Sequence, residues 1–308
     1  MCWKYLCILY YIKFLSSNFI YTGFKKEYIN RNGLHKHIKL IGAGGYLMPE
    51  ISGVKLNYIE KGEGCPLILI HGLSDDLRFW APLIPQLSRN YRTVALDLRG
   101  HGSSGKPKGP YFIEQFSRDV YSLLNELNIR KAHFIGFSVG GAVVQDLAVN
   151  YPEMVSSIVL MSSFSFVDSK LNETFLKLRE SLIGGGFAAF FDEILPLVLI
   201  PKLINENKAE LEQIKEEKVK TESVESLINT VDACMEFDVK DKISVISKPA
   251  LIISGKEDVL IPDELAGQTH RIIDGSKRVI LENTGHNVLI PENLQFLLEL
   301  ILKFLKDV

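Results

Sequence analysis

The run Gly136-Phe137-Ser138-Val139-Gly140-Gly141 sets a serine in a G-x-S-x-G frame, after an apolar stretch and at the opening of a helical pattern. A tight strand-to-helix turn of this kind lifts a serine hydroxyl out of the backbone, where a neighbouring base can take its proton. Gly136 and Gly140 lack a Cβ and leave room for the turn, and Gly141 lets the helix approach the sheet. Downstream of Ser138 the chain has two histidines, His270 and His286. His270 falls inside a helical pattern and reads as a surface or packing residue. His286 stands in Glu282-Asn283-Thr284-Gly285-His286-Asn287, a loop after the last strand pattern, and takes the part of base. A base needs an orienting acid. Gly255-Lys256-Glu257-Asp258 follows a strand pattern at residues 250–254 and offers two carboxylates.

Acyl transfer also needs two N–H donors for the oxyanion. Val139, next after the serine, supplies one at a helix N-terminus, where the dipole favours negative charge. The loop after His71-Gly72 supplies the other, assigned to Leu73. Neither a metal nor an organic cofactor is required. His71 itself reads as a structural residue tying loops together.

These residues need a frame. Short β-branched runs alternate with amphipathic ones, the pattern of a mostly parallel, twisted α/β sheet with helices on both faces. Residues 54–60 alternate as an outer strand does. Residues 66–71, 93–96, 133–137, 157–161, 250–254 and 278–281 read as strands, the first two nearly all apolar. Residues 79–87, 113–127, 139–150, 263–273 and 291–305 read as helices. Between residues 163 and 247 no strand pattern occurs. The segment reads as four helices, at 172–183, 186–200, 205–218 and 223–236, too long for a loop and so an inserted cap over the strands' C-terminal edge. The organisation expected is an N-terminal extension at 1–47, a core at 48–162 and 248–308, and a helical cap at 163–247. The third cap helix carries eight charges between Glu206 and Lys218 and reads as a solvated face.

His71-Gly72-Leu73, Asp97-Leu98-Arg99-Gly100-His101-Gly102-Ser103-Ser104, the serine elbow, Gly255-Lys256-Glu257-Asp258 and Thr284-Gly285-His286 together resemble the capped α/β-hydrolase superfamily, over essentially residues 48–305. The resemblance implies the G-x-x-D spacing of Asp258 for the acid, with Glu257 turned to solvent, and structural duties for Arg99 and His101. The stretches HGLSDDLRFW and DLRGHGSSGKPKGPY are most similar to 3-oxoadipate enol-lactonases and related esterases. Epoxide hydrolases and haloalkane dehalogenases carry aspartate where this chain has Ser138. Hydrolysis of a small-molecule ester or lactone, with water as second substrate, is therefore expected. Carbon–carbon bond hydrolysis and perhydrolysis use the same triad, and the extra glycines usual after His-Gly in the former are absent. A slow-turnover ligand receptor is the reading from another class. Phe164, Phe166, Phe175, Phe187, Phe190 and Phe191 in the cap suit either an apolar pocket or a cap–core interface. An enol-lactonase also needs a cation for its substrate carboxylate, with Lys170, Lys177, Arg179 and Lys202 as candidates.

A formal net charge of −2 over 308 residues provides no footprint for nucleic acid. Cys2, Cys7, Cys65 and Cys234 show neither paired nor metal-ligand spacing, which suits a reducing, cytoplasmic setting. Residues 1–47 differ from the rest: seven Lys/Arg against one acid, and ten of the chain's thirty aromatics. Three readings stand: an upstream leader before a true start at Met48, a signal or membrane anchor, or an ordered extension. Membrane association or export follows only from the second.

Overall fold

The computed structural model describes residues 50–51 and 53–308. The expectations for residues 1–47 and for Met48 as a start lie outside them. Among the described residues nine strands form two sheets: β1 (Glu50–Ile51) and β2 (Val54–Lys55) make a small antiparallel pair. β3 (Tyr58–Lys61), β4 (Cys65–Ile70), β5 (Tyr91–Leu96), β6 (Ala132–Phe137), β7 (Val155–Met161), β8 (Ala250–Gly255) and β9 (Lys277–Leu281) make the main sheet, in the order β3-β5-β4-β6-β7-β8-β9. β3 pairs with β5 antiparallel at one edge, and all other pairings are parallel. This is the α/β-hydrolase fold.

Alternation within the strands explains why helices cover both faces. Ile68 and Ile70 of β4 belong to one core cluster, whereas Leu67 and Leu69 belong to the other. Ile158 and Leu160 of β7 divide from Val159 and Met161 in the same way, as a period of two requires. The first cluster is roofed by α2 (Ile113–Glu126), α3 (Val139–Asn150) and α8 (Asp263–Ile272). The second is roofed by α1 (Ile84–Leu87) and α9 (Pro291–Lys306). Along α2, Phe116, Val120, Leu123 and Leu124 form the buried stripe. The helix expected at 79–87 is instead a 3₁₀ turn, Leu77–Trp80, followed by α1. Pro82 and Pro85 deny the backbone donors and restrict the preceding residues, so one continuous helix cannot form.

Between β7 and β8 the chain leaves the sheet for α4 (Ser169–Val198), α5 (Pro201–Glu206), α6 (Lys208–Thr221) and α7 (Val224–Met235). An isolated antiparallel bridge between Phe166 and Asp238, with Val239 N–H donating to Ser165 O at 2.9 Å, ties the two ends of this segment together. The first two expected helices form one run, bent at Gly186, whose φ of 64° and ψ of −155° are accessible at low cost only to glycine. Pro196 lies in the last turn of α4, and Pro201 begins α5.

The turn after β5 is held by buried polar groups. Asp97 accepts from the Asn57 amide at 2.7 Å, from Leu77 N–H at 2.7 Å and from Ser103 N–H at 2.8 Å. Arg99 pairs with Asp119 of α2 through Nε at 2.6 Å and a second guanidinium nitrogen at 2.7 Å. His71 Nε2 accepts from Leu98 N–H at 3.0 Å while Nδ1 donates to Gly72 O at 2.8 Å, so the ring is neutral and joins two loops. His101 lies beside it, ring centroids 5.3 Å apart. Burial lowers both imidazoles to about 4.

Two expectations follow. α3 runs so close to β4 that a Cβ on Gly140 would overlap the carbonyl oxygens of Ile70 and His71. Gly140→Ala should therefore lower stability by about 2 kcal/mol or more, or prevent folding, measured by urea unfolding and soluble yield. His101 protonates near 6.5 when unfolded and about 4 when folded, so the unfolded chain binds more protons in that window. Its stabilising contribution is complete above pH 6.5 and is lost as pH falls toward 4, by roughly 1–3 kcal/mol. Urea unfolding of His101→Gln between pH 7 and 4.5 should show a flatter loss than the parent, and an identical slope would contradict this account.

Candidate active site

β6 delivers the serine and α3 carries the chain away from it. At Ser138 the backbone takes φ 51° and ψ −116°, a conformation that costs a side-chain-bearing residue of order 1–3 kcal/mol. Neighbours impose it: Ser138 N–H donates to Met161 O at 2.8 Å, and Ser163 Oγ donates to Ser138 O at 2.8 Å. A Cβ on Gly136 would strike the Gly140 backbone, and one on Gly141 would strike the Ser163 side chain. Each of the three glycines thus permits one close approach, and the serine is turned toward a pocket that it lines.

Opposite it, the loops after β8 and β9 bring Asp258 and His286 together. His286 Nδ1 donates to Asp258 Oδ2 at 2.8 Å, with both side chains almost fully buried. That leaves Nε2 as the ring's acceptor toward the pocket. Asp258 Oδ1 accepts from Leu260 N–H at 3.0 Å and Ile261 N–H at 2.8 Å, so neither carboxylate oxygen is unpartnered. Phe137 lies against the His286 ring with centroids 5.0 Å apart and stacks on Phe79 at 4.4 Å, limiting how the imidazole can tilt.

Glu257 is exposed but bonded rather than idle. Its carboxylate accepts from Thr284 N–H at 2.7 Å, and its own N–H donates to Thr284 O at 3.0 Å. The two carboxylates therefore divide the work: Asp258 meets the imidazole, and Glu257 staples the acid loop to the histidine loop. His270 is away from the site and bonds Ser276 Oγ at 2.7 Å. Leu73 and Val139 both line the pocket beside Ser138. Val139 is the first residue of α3, whose N–H has no carbonyl one turn earlier in the helix. Leu73 N–H has no acceptor among the described residues.

The cavity measures about 170 Å³. Its walls are mostly apolar. Phe175, Phe187 and Phe191 of the cap line it, whereas Phe164 and Phe190 are fully buried in the core and Phe166 lies under the Lys240 ammonium at 4.7 Å. Both uses expected of the cap phenylalanines therefore occur, at different positions.

The cation at the pocket is one the sequence did not single out. Lys170, Lys177 and Lys202 are exposed, and Arg179 pairs with Asp232 at 2.6 Å; none lines the cavity. Lys218 does. The solvated face expected for this helix fails at that residue: Lys218 is buried and donates to Ser74 O at 2.5 Å and to Glu222 Oε1 at 3.0 Å. Although burial lowers its pKa, Glu222, Asp76 and Asp75 together raise it above the ordinary value, so it stays an ammonium. A signal was present in the spacing. Asn207, Leu211, Ile214 and Lys218 recur at intervals of four, three and four residues, and all four line the pocket.

Known proteins resemble this chain in sequence and in fold. The family model for the alpha/beta hydrolase fold matches residues 66–292. A protein from Azorhizobium caulinodans described as a carbamate hydrolase, RutD, is 29% identical over 213 residues, 68% of this chain and 80% of its own length. The 3-oxoadipate enol-lactonase 2 of Acinetobacter baylyi is 28% identical over 256 residues, covering 81% of this chain and 94% of the relative. The crystal structure of the enol-lactonase from Burkholderia xenovorans LB400 superposes with a TM-score of 0.78 at 28% identity, over 84% of this chain and 99% of that one. With this sheet topology and a family match over most of its length, the chain belongs to the α/β-hydrolase family and is an enzyme of that type.

Proposed function

We propose that this chain is a serine hydrolase acting on small-molecule esters or lactones through an acyl-enzyme on Ser138. The observation that carries the reading is the His286–Asp258 bond, which leaves His286 Nε2 free toward the pocket that Ser138 lines. In the proposed sequence Ser138 Oγ attacks the substrate carbonyl and its proton passes to His286 Nε2. The resulting imidazolium is stabilised by Asp258. The oxyanion is held by the Leu73 and Val139 N–H groups, and the proton then goes to the leaving alkoxide. Water, deprotonated by the same nitrogen, releases the acyl group and restores Ser138.

The lactone arm draws on two relatives named as enol-lactonases, and the carbamate name of the third describes the same attack on an sp² carbonyl. An apolar cavity of this size suits a short acyl or alkyl group rather than a polymer. A receptor with a vestigial triad would turn over its ligand very slowly, which the kinetics below distinguish.

Ser138→Ala should abolish labelling by a fluorophosphonate probe and hydrolysis of p-nitrophenyl esters of two to eight carbons and of simple lactones, with unchanged circular dichroism. Undiminished labelling would remove Ser138 from the role. Asp258→Asn keeps the shape but disturbs the tautomer, and should lower kcat by about 10⁴ with little change in KM. Glu257→Gln, which preserves an acceptor for Thr284 N–H, should stay within about tenfold of the parent.

A further inference from the structure

Of the charged groups lining the pocket that have no task in the chemistry above, Lys218 is bonded and Asp75 is not. Asp75 lies two residues beyond Leu73 and is the only carboxylate among the described pocket-lining residues. Its backbone is anchored, N–H to Gly72 O at 3.3 Å, yet its carboxylate has no hydrogen-bond partner among the described residues. Its neighbour Asp76 is occupied: it caps the 3₁₀ turn through Arg78 N–H at 2.8 Å and holds the Arg78 guanidinium at 2.7–3.1 Å. Lys218 is occupied too, by Ser74 O and Glu222. A half-buried carboxyl group that lines a mostly apolar cavity and has no protein partner presents its lone pairs to whatever enters the cavity.

We propose that Asp75 is a specificity-determining residue that accepts a hydrogen bond from an N–H or O–H group on the substrate. The inference rests on the proposed hydrolase reading and narrows its substrate class to acyl compounds bearing such a donor near the scissile carbonyl. The surroundings support an acceptor that strengthens with pH. Burial pushes the Asp75 carboxyl up to about 7; Lys218 of α6 and His286 pull it down, while Asp76 and Glu222 push it further up. Above that range the carboxylate forms a charge-assisted bond, about twice as strong as a neutral one. Lys218, fixed between Ser74 O and Glu222, keeps the carboxylate beside a compensating charge without consuming its lone pairs.

The test compares two esters of nearly equal size, the 4-nitrophenyl esters of N-acetylglycine and of 4-oxopentanoic acid, which differ by N–H against CH₂. The measured quantity is the ratio of their kcat/KM values in each protein. Because both esters need the same Ser138 and His286, the ratio cancels the titration and any general loss of activity. The parent should favour the N–H ester by about tenfold at pH 8, corresponding to one hydrogen bond to a charged group. The ratio should fall toward one in Asp75→Leu and Asp75→Ala, and Asp75→Asn should retain part of it through the amide oxygen. In the parent alone, which needs no variant to fold, the ratio should rise several-fold between pH 6 and 8. A parent ratio near one, a ratio independent of pH, or a ratio unchanged in Asp75→Leu overturns the assignment of Asp75. If those occur while hydrolysis still requires Ser138, the hydrolase reading survives. If neither ester is hydrolysed in a Ser138-dependent way, both fail.

Discussion

The site depends on one constraint, the positive φ of Ser138 at the end of β6. Such a backbone persists only when its surroundings over-determine it. Here β7 does so twice: Met161 O receives the serine N–H, and Ser163, just beyond the strand, donates to the serine carbonyl. The glycines at 136, 140 and 141 each allow an approach that a methyl group would block, so the turn, the helix and the sheet are mutually dependent. The turn sets Ser138 and Val139, the first residue of the following helix, side by side on the pocket.

Around that serine the structure separates duties among acidic residues by giving each a different set of donors. Asp258 has both oxygens engaged and faces the imidazole. Glu257 faces the neighbouring loop, Asp76 is locked by Arg78, Asp97 organises the turn after β5, and Asp75 faces the cavity with nothing bonded to it. The same chemical group thus meets an imidazole, staples two loops, caps a turn, anchors another and stands open in the cavity. Burial and partners decide which part each takes, and composition does not.

The cap is bound to this arrangement by more than apolar contact. Lys218 reaches from α6 to the Ser74 carbonyl in the loop that also bears Leu73, so a cap residue helps hold the loop to which an oxyanion donor is assigned. Ser74 itself has a φ of 58°, one of five non-glycine residues in that region among the described residues. The pocket wall formed by the cap and the loop beside the serine are therefore joined through one buried ammonium.

Much of this was legible in the order of residues alone. The parallel sheet follows from alternating short β-branched and longer amphipathic runs, and the serine elbow and the His286 loop are local patterns whose spacing carries their geometry. The division between Glu257 and Asp258 was not local: it depends on where Thr284 and His286, more than 25 residues later, come to lie. The 79–87 segment looked helical because its apolar spacing outweighed two prolines that the backbone could not ignore. Lys218 and Asp75 were hidden for a related reason. A charged residue in a charged helix and an acid in a polar loop have no sequence mark of burial, since burial is conferred by the partner that folds against them. Local patterns were thus determined by the sequence itself, while the choice of which charges line the pocket was made only where cap and core pack on one another.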